Sequence, residues 1–321
     1  MGEKNFVRSA SQDELLGNWI EKHKSGSPTD ASVYWIHYRP CEISNLFYSE
    51  SGYRVSHGLI KRKLLSMGFK YRKLQKSRAT GICQDRNAQF GIICNIILMM
   101  SLKSPIISID CKKKEQLGNL YRAGKCYTQG FVRVYDHDYS HLGEGKVIPH
   151  GIYDLMRNEG YITIGTSHET ADFIGDNLIW WWETYGIHQY PDAQNILILC
   201  DSGGGNSYRH YAFKKKLLEV AKLIGKNFII CHYPPYASKW NPIEHRLFAH
   251  VHRAMQGVVF DNYEIVKTLI EKTATTNGLR VFARIIDKEY PIGIKTEKHQ
   301  VDFDRIQFNL NLPQLSYTIN A

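Results

Sequence analysis

The sequence predicts a mixed α/β protein in which a small helical unit precedes a larger unit built on a mixed sheet. Three observations predict it. Between residues 41 and 67 apolar side chains recur at three- and four-residue spacing, the mark of amphipathic helices. After residue 105 short apolar, β-branched runs alternate with helix-period segments, as in sheets covered by helices. Two of those runs end in an aspartate, ISID at Asp110 and LILCD at Asp201. A chain of 321 residues is long enough for two compact domains. Its 43% hydrophobic and 22% charged content excludes collagen-like, largely disordered and disulfide-scaffold classes.

The N-terminal elements follow from local chemistry. Residues 41–49 and 56–67 read as short helices, with 51–55 as the turn between them. Ser56 is placed to cap the second helix. That helix carries an apolar stripe of Leu59, Ile60, Leu64 and Leu65 and a polar face of His57, Lys61, Arg62 and Lys63. Gly68 ends it, and residues 69–73 suit a β-wing. Helix, turn and basic helix is the helix-turn-helix pattern, whose second helix enters the major groove. A small helical bundle with a solvated basic face gives the same pattern, and both readings stay open on the pattern alone. Residues 80–87 are polar and turn-like, a linker. The apolar run 90–100 is too short to cross a bilayer and reads as a buried helix.

The sheet elements come next. Residues 105–109, 131–135 and 161–166 read as strands and 170–185 as a helix. Strand 195–200, helix 208–224, strand 227–231 and helix 242–255 complete the series. The order β-β-β-α-β-α-β-α matches the ribonuclease H-like topology, an α/β fold with a mixed sheet. The expected organisation is a helix-turn-helix region at 1–80, linker and helix at 81–104, the ribonuclease H-like domain at 105–260 and a C-terminal extension at 261–321.

Charge points to a polyanionic partner. The formal net charge is +10, and residues 1–80 hold twice as many basic as acidic side chains. Within 61–78, Lys61, Arg62, Lys63, Lys70, Arg72, Lys73, Lys76 and Arg78 meet no acidic residue, and Phe69 and Tyr71 interleave with them. Such a stretch suits a phosphate backbone. Seven cysteines without a CxxC pair fit reduced thiols, and residues 1–10 form no secretory signal, so a cytoplasmic protein is expected, without a membrane and nucleoid-associated when on DNA. His137 and His141 have metal-ligand spacing but no partner motif, and loop histidines explain them better than zinc.

Three carboxylates stand in telling places. Asp110 and Asp201 end the first and fourth strands, which are neighbours in this topology, and Glu244 lies in the first turn of the helix that should pack across that edge. Each alone is commonly a cap, a turn former or a dipole-favoured residue. Together near neutral pH they repel one another, and divalent cations offset that repulsion. Mg²⁺ prefers a few hard oxygen ligands plus water and substrate phosphate. Two such ions, about 3.5–4 Å apart, serve phosphodiester displacement. Lys112, Lys113 and Asn206 are candidate phosphate contacts, with a solvated charge run and a helix cap as the plainer roles. Before Glu244, Lys239, Trp240 and Asn241 could flank the cut or simply anchor the turn, and His245 and Arg246 could reach the scissile phosphate or pair locally.

These residues resemble a known family. ISIDCKKKEQLGN, KVIPHGIYDLMRNEGYITIG, LCDSGGGNSYR and HYPPYASKWNPIEHRLF look like successive blocks of the Rhodopirellula-type (ISAzo-thirteen-like) transposases, as do SPTDASVYWIHYRP, YRVSHGLIKRKLLSMGFKYRK and QDRNAQF. These are DDE transposases of bacterial insertion sequences, distantly similar to the Tc1/mariner group. The resemblance runs from about Ser25 to Ile294 with the blocks in family order. It implies a ribonuclease H-like catalytic domain behind a helix-turn-helix. It also implies cleavage of double-stranded DNA at transposon ends and strand transfer to target DNA with Mg²⁺ or Mn²⁺. A homodimer or larger synaptic assembly would join the two ends. Asp110, Asp201 and Glu244 match the family triad and are intact. Ser167 and Glu169 stand where the family often has Asp, Pro242 where Lys is frequent, and the family's further upstream helix-turn-helix is not seen in this sequence. A DNA-binding copy without catalysis and a ribonuclease H-like nuclease without strand transfer are the alternatives.

Overall fold

In the computed structural model, residues 10–27, 30–72, 85–235, 237 and 240–321 are described. They fall into two compact units, 1–78 and 79–321.

The first unit packs three helices, α1 (Ala10–His23), α2 (Pro40–Ser51) and α3 (His57–Ser66), with a hairpin of β1 (Ser25–Ser27) and β2 (Asp30–Trp35) after α1. Its core is Leu16, Trp19 and Ile20 of α1, Ile43 and Phe47 of α2, and Ile60 of α3. Pro40 occupies the first turn of α2, where its missing N–H costs nothing, and Glu42 accepts from the Arg39 N–H at 2.6 Å. Ser56 caps α3 by accepting from the Leu59 N–H at 3.3 Å. Helix, turn and basic helix are thus present, and α1, which the sequence pattern does not predict, supplies half of the buried core. Residues 69–72 hold no strand, so no β-wing forms there, and Lys73 lies outside the described residues, as do Lys76, Arg78 and most of the expected linker.

The second unit is a sheet covered on both faces. Its strands are β3 (Ile106–Cys111), β4 (Glu115–Leu117), β5 (Gly145–Asp154), β6 (Glu159–Gly165), β7 (Asn195–Cys200), β8 (Asn227–His232), β9 (Arg280–Ile286), β10 (Ile306–Phe308) and β11 (Ser316–Ile319). The order across the sheet is β10-β11-β8-β7-β3-β5-β6-β9, with β4 on β5. β3, β7 and β8 run parallel, and β5 lies antiparallel between β3 and β6. A three-strand meander whose first strand is flanked by two later parallel strands is the ribonuclease H-like core.

Side chains alternate between the faces with period two. Ile107, Ile109, Ile196 and Ile198 meet α5 (Ala171–Trp181) and α6 (Tyr211–Ile224) on one side. Ile106, Leu197 and Leu199 face α4 (Arg86–Met99) on the other. There too lie the helix made of the π-turn Glu244–Phe248 and α7 (Ala249–Ala254), and α8 (Tyr263–Glu271), packed on Ile162 and Ile164.

Three expectations are corrected. The second meander strand is β5, not 131–135. Phe131 and Val132 are exposed and only Tyr135 forms a bridge, to Leu120. The alternation in 131–135 finds no sheet to pack on, whereas β5 hides its strand character behind Pro149 and Gly151. Glycine is required at 151 because a Cβ would sit 2.7 Å from Phe248 and 3.0 Å from Ile243. Helix 90–100 is buried on one face only, through Ile93 and Gln89, and Leu98 and Met99 are more than four-fifths exposed. Residues 261–321 are not an appendage to the sheet: β9 pairs in parallel with β6, and β11 pairs with β8.

A candidate carboxylate site at the end of the central strands

Asp110 is the fifth residue of β3 and Asp201 follows β7, its parallel neighbour. Pleating places both on the face covered by the helix that begins with Glu244. Asp110 is buried. Its Oδ1 accepts from the Cys111 N–H at 2.8 Å, and its Oδ2 from Asn241 Nδ2 at 3.3 Å. Asn241 is held in turn by Ser108, whose hydroxyl donates to its Oδ1 at 2.5 Å. Asn241 also accepts the Glu244 N–H on its backbone carbonyl at 3.1 Å, so one residue ties strand to helix. Asp201 receives the Gly203 N–H and the Asn206 side chain. Its carbonyl accepts from the buried His232 Nδ1 at 3.0 Å. Burial pushes the His232 ring down to about 4, so it stays neutral.

The electrostatics report the convergence. Burial raises the Asp110 carboxyl to about 8, and the nearby charges of Asp201 and Glu244 add to the shift. Burial raises Asp201 to about 6, with Glu169 and Glu244 adding to it and the Gly203 and Asn206 hydrogen bonds opposing it. Asp201 Oδ1 and Asn206 Oδ1 are buried without a hydrogen-bond partner. Unpartnered buried oxygens beside mutually repelling carboxylates are a demand for positive charge. The donors are hard oxygens, the set that suits Mg²⁺ or Mn²⁺ rather than a soft metal. Among the described residues no group of three or more His, Cys, Asp or Glu is arranged to hold an ion by itself.

Residues 16–321 match the family described as Rhodopirellula transposase DDE domain. The chain belongs to that family. A comparison with curated proteins found no match. Among solved structures, the chain is similar to the Mos1 mariner paired end complex with Mn, at 16% identity and TM-score 0.47 over 85% of this chain and 72% of that one. It is similar to the paired end complex with Mg at 15% identity and TM-score 0.47, over 85% and 74%. The Mos1 strand transfer complex matches at 15% identity and TM-score 0.44, over 85% and 72%. Family membership rests on the sequence match, and the fold on this chain's own strand order.

Within this transposase fold the other expected site residues separate into groups. Asn206 and Asn241 are buried beside the aspartates, Asn241 with its amide on Asp110 and Asn206 with its Oδ1 left without a partner. Lys112 is only 7% exposed and pairs with Glu115 at 3.0 Å, so it is taken up inside the unit. Lys113, His245 and Arg246 are exposed, the last two on the helix beside Glu244. Trp240 is exposed and meets Phe90 edge to face at 6.1 Å. Lys239 lies outside the described residues. In the first unit Lys61, Arg62, Lys70 and Arg72 are exposed, but Lys63 pairs with Asp13 at 2.8 Å and braces α3 on α1. The sequence reading noted Glu169 without giving it a place. It lies just before α5, and its charge acts on both aspartates. Its signal in the sequence is an acid at the exit of a strand, directly before the Thr170 helix cap.

No helix among the described residues is long and apolar enough to cross a membrane.

Proposed function

We propose that this transposase cuts double-stranded DNA at transposon ends and joins the freed 3′ end to target DNA. Asp110, Asp201 and Glu244 would act as the catalytic carboxylates. The reading is supported by Asp110 and Asp201 at the ends of neighbouring parallel strands, by the charge of Glu244 acting on both, and by a buried Asp201 oxygen left unpartnered. Asp110, Asp201 and Glu244 would hold two Mg²⁺ or Mn²⁺ ions, cations that favour hard oxygen donors. When bound, these ions supply Lewis-acid polarisation of the phosphate and a better nucleophile at neutral pH.

The protein's own part is placement. Asn241 and the Cys111 N–H hold both oxygens of Asp110, Gly203 and Asn206 hold Asp201, and the packed helix fixes Glu244. In the first reaction water attacks the phosphorus at the element end, a P–O bond forms, and the 3′ oxygen of the end leaves as a hydroxyl. In the second that hydroxyl attacks a target phosphodiester, and a target 3′ oxygen leaves. Both are in-line displacements at one site. Lys61, Arg62, Lys70 and Arg72 would meet phosphates of end DNA. Lys113, Trp240, His245 and Arg246 would meet the strand near the cut. Two ends must be brought together, so a homodimer or larger assembly is part of the reading.

The test is a cleavage assay with Mg²⁺ on DNA bearing the inverted repeats that flank the reading frame, wild type beside Asp201→Ala. Cuts at the repeat tips that vanish in the variant support the proposal. A salt-sensitive mobility shift without cuts in wild type would favour the DNA-binding copy instead.

A further inference from the structure

The segments that follow the two aspartates meet at one side chain that neither belongs to. Glu169, between β6 and α5, is largely buried, with 14% of its side chain exposed. Its Oε1 accepts the Gly205 N–H at 3.3 Å, and it lies close enough to the Cys111 thiol, next in sequence to Asp110, for its charge to add to burial in holding that thiol protonated, while the thiol itself donates to the Lys112 carbonyl at 3.6 Å. Lys114 lies 3.6 Å from Oε2, but that lysine is half exposed and the pair is worth little. Gly205 belongs to the turn 203–206, and the same turn supplies both groups that hold the Asp201 carboxylate, the Gly203 N–H and the Asn206 side chain. The turn is cut to fit Glu169. Gly204 has φ +56°, and a Cβ there would stand 3.0 Å from Glu169 Oε1. A Cβ on Gly205 would stand 3.0 Å from Ile174 and 3.5 Å from the same oxygen.

We infer that Glu169 is a positioning residue: it pins the 203–206 turn against the start of the segment after Asp110, and so sets the orientation in which Asp110 and Asp201 face one another. It acts through the turn and touches no reacting atom. The inference rests on the proposed divalent-cation site and assigns what holds that site in shape.

The experiment measures Mn²⁺ binding to the DNA-free full chain by electron paramagnetic resonance, together with amide hydrogen exchange over 201–207. In Glu169→Ala the turn loses its anchor, so exchange quickens and Mn²⁺ affinity falls about tenfold, whereas Glu169→Gln, whose amide oxygen still accepts from Gly205, stays within about threefold of wild type. Glu169→Ala that binds Mn²⁺ as tightly as wild type overturns the inference. So does Glu169→Gln that falls as far as Glu169→Ala, because the negative charge and not the held turn would then be what matters. Wild type that binds no Mn²⁺ overturns the cation-site reading itself and this inference with it, an outcome distinct from both. If thermal unfolding shows that Glu169→Ala does not fold, Gly204→Ala serves. At φ +56° and with its Cβ 3.0 Å from Glu169 Oε1 it forces the turn to shift against an intact Glu169, and the same tenfold loss is expected. Unchanged affinity there also overturns the inference.

Discussion

The basic helix α3 and the carboxylate edge of the sheet carry opposite charge in opposite surroundings. Lys61 and Arg62 stand in water, while Asp110 is buried and Asp201 has a buried oxygen without a partner. Exposed charges act over a Debye length and weaken with salt, and they lose little when moved by an ångström. Buried carboxylates act at contact range, pay for desolvation and depend on the exact neighbours, which is why their protonation is displaced. One region should therefore tune how tightly DNA is held, and the other whether anything happens to it.

The largest effect that would sharpen this contrast is at the acidic edge. Asp110→Ala should lower cleavage by on the order of a thousandfold or more while leaving the mobility shift in place. Retained cleavage breaks the assignment. The converse variant, Lys61→Ala with Arg62→Ala, should weaken DNA binding and reduce the slope of log K against log salt by about two, with the cutting rate at saturating DNA preserved. Binding titrations at several salt concentrations check it, and an unchanged slope removes α3 from the phosphate contacts.

Gly151→Ala tests how closely the edge depends on packing. The new methyl meets Phe248 and Ile243 of the helix that carries Glu244. A loss of about 1–3 kcal/mol in urea unfolding is expected, with weaker cleavage in the folded fraction.

The smallest effect is the pH dependence of the metal-free protein, and its sign follows from proton counting. The folded state holds the Asp110 proton up to about 8, far above an ordinary carboxyl, so it binds more protons than the unfolded chain and stability falls as pH rises through that window. Asp201 does the same up to about 6. His150 and His232 oppose them at lower pH. Burial drops these rings to about 3 and about 4, so their contribution is lost as pH falls below the ordinary histidine value. Between about pH 6.5 and 8 the Asp110 slope is left as the dominant one of the four. The unfolding temperature of metal-free protein should therefore decline over that interval, and Mg²⁺ should reverse the decline. A flat profile would mean that the carboxylates are less crowded than their positions imply.

How much of this was legible depended on range. The Ser56 cap, the α3 stripe apart from Leu65, which is exposed, and the strands ending near Asp110 and Asp201 are written in residues within a few positions of each other, and are legible directly. The β5 strand was not, because Pro149 and Gly151 disguise it and its reason for being a strand lies on β3, β6 and the Glu244 helix. The reverse error at 131–135 has the same origin, since a good alternation forms no strand without a partner to bond. At the site the three carboxylates were legible from their elements. The roles of Asn206, Asn241 and Lys112 were not, because their burial depends on what packs over them.

The sequence by itself determined the Ser56 cap, the basic helix α3 and the strands that lead to Asp110 and Asp201, because propensity, capping and period are local properties of the chain. Only the tertiary structure decided that β9 and β11 complete the sheet, that Lys63 and Lys112 are occupied by Asp13 and Glu115, and that Glu169 accepts from the turn beyond Asp201. Those are pairings between residues far apart in sequence, and their energy is set by burial and distance, which exist only once the chain has folded.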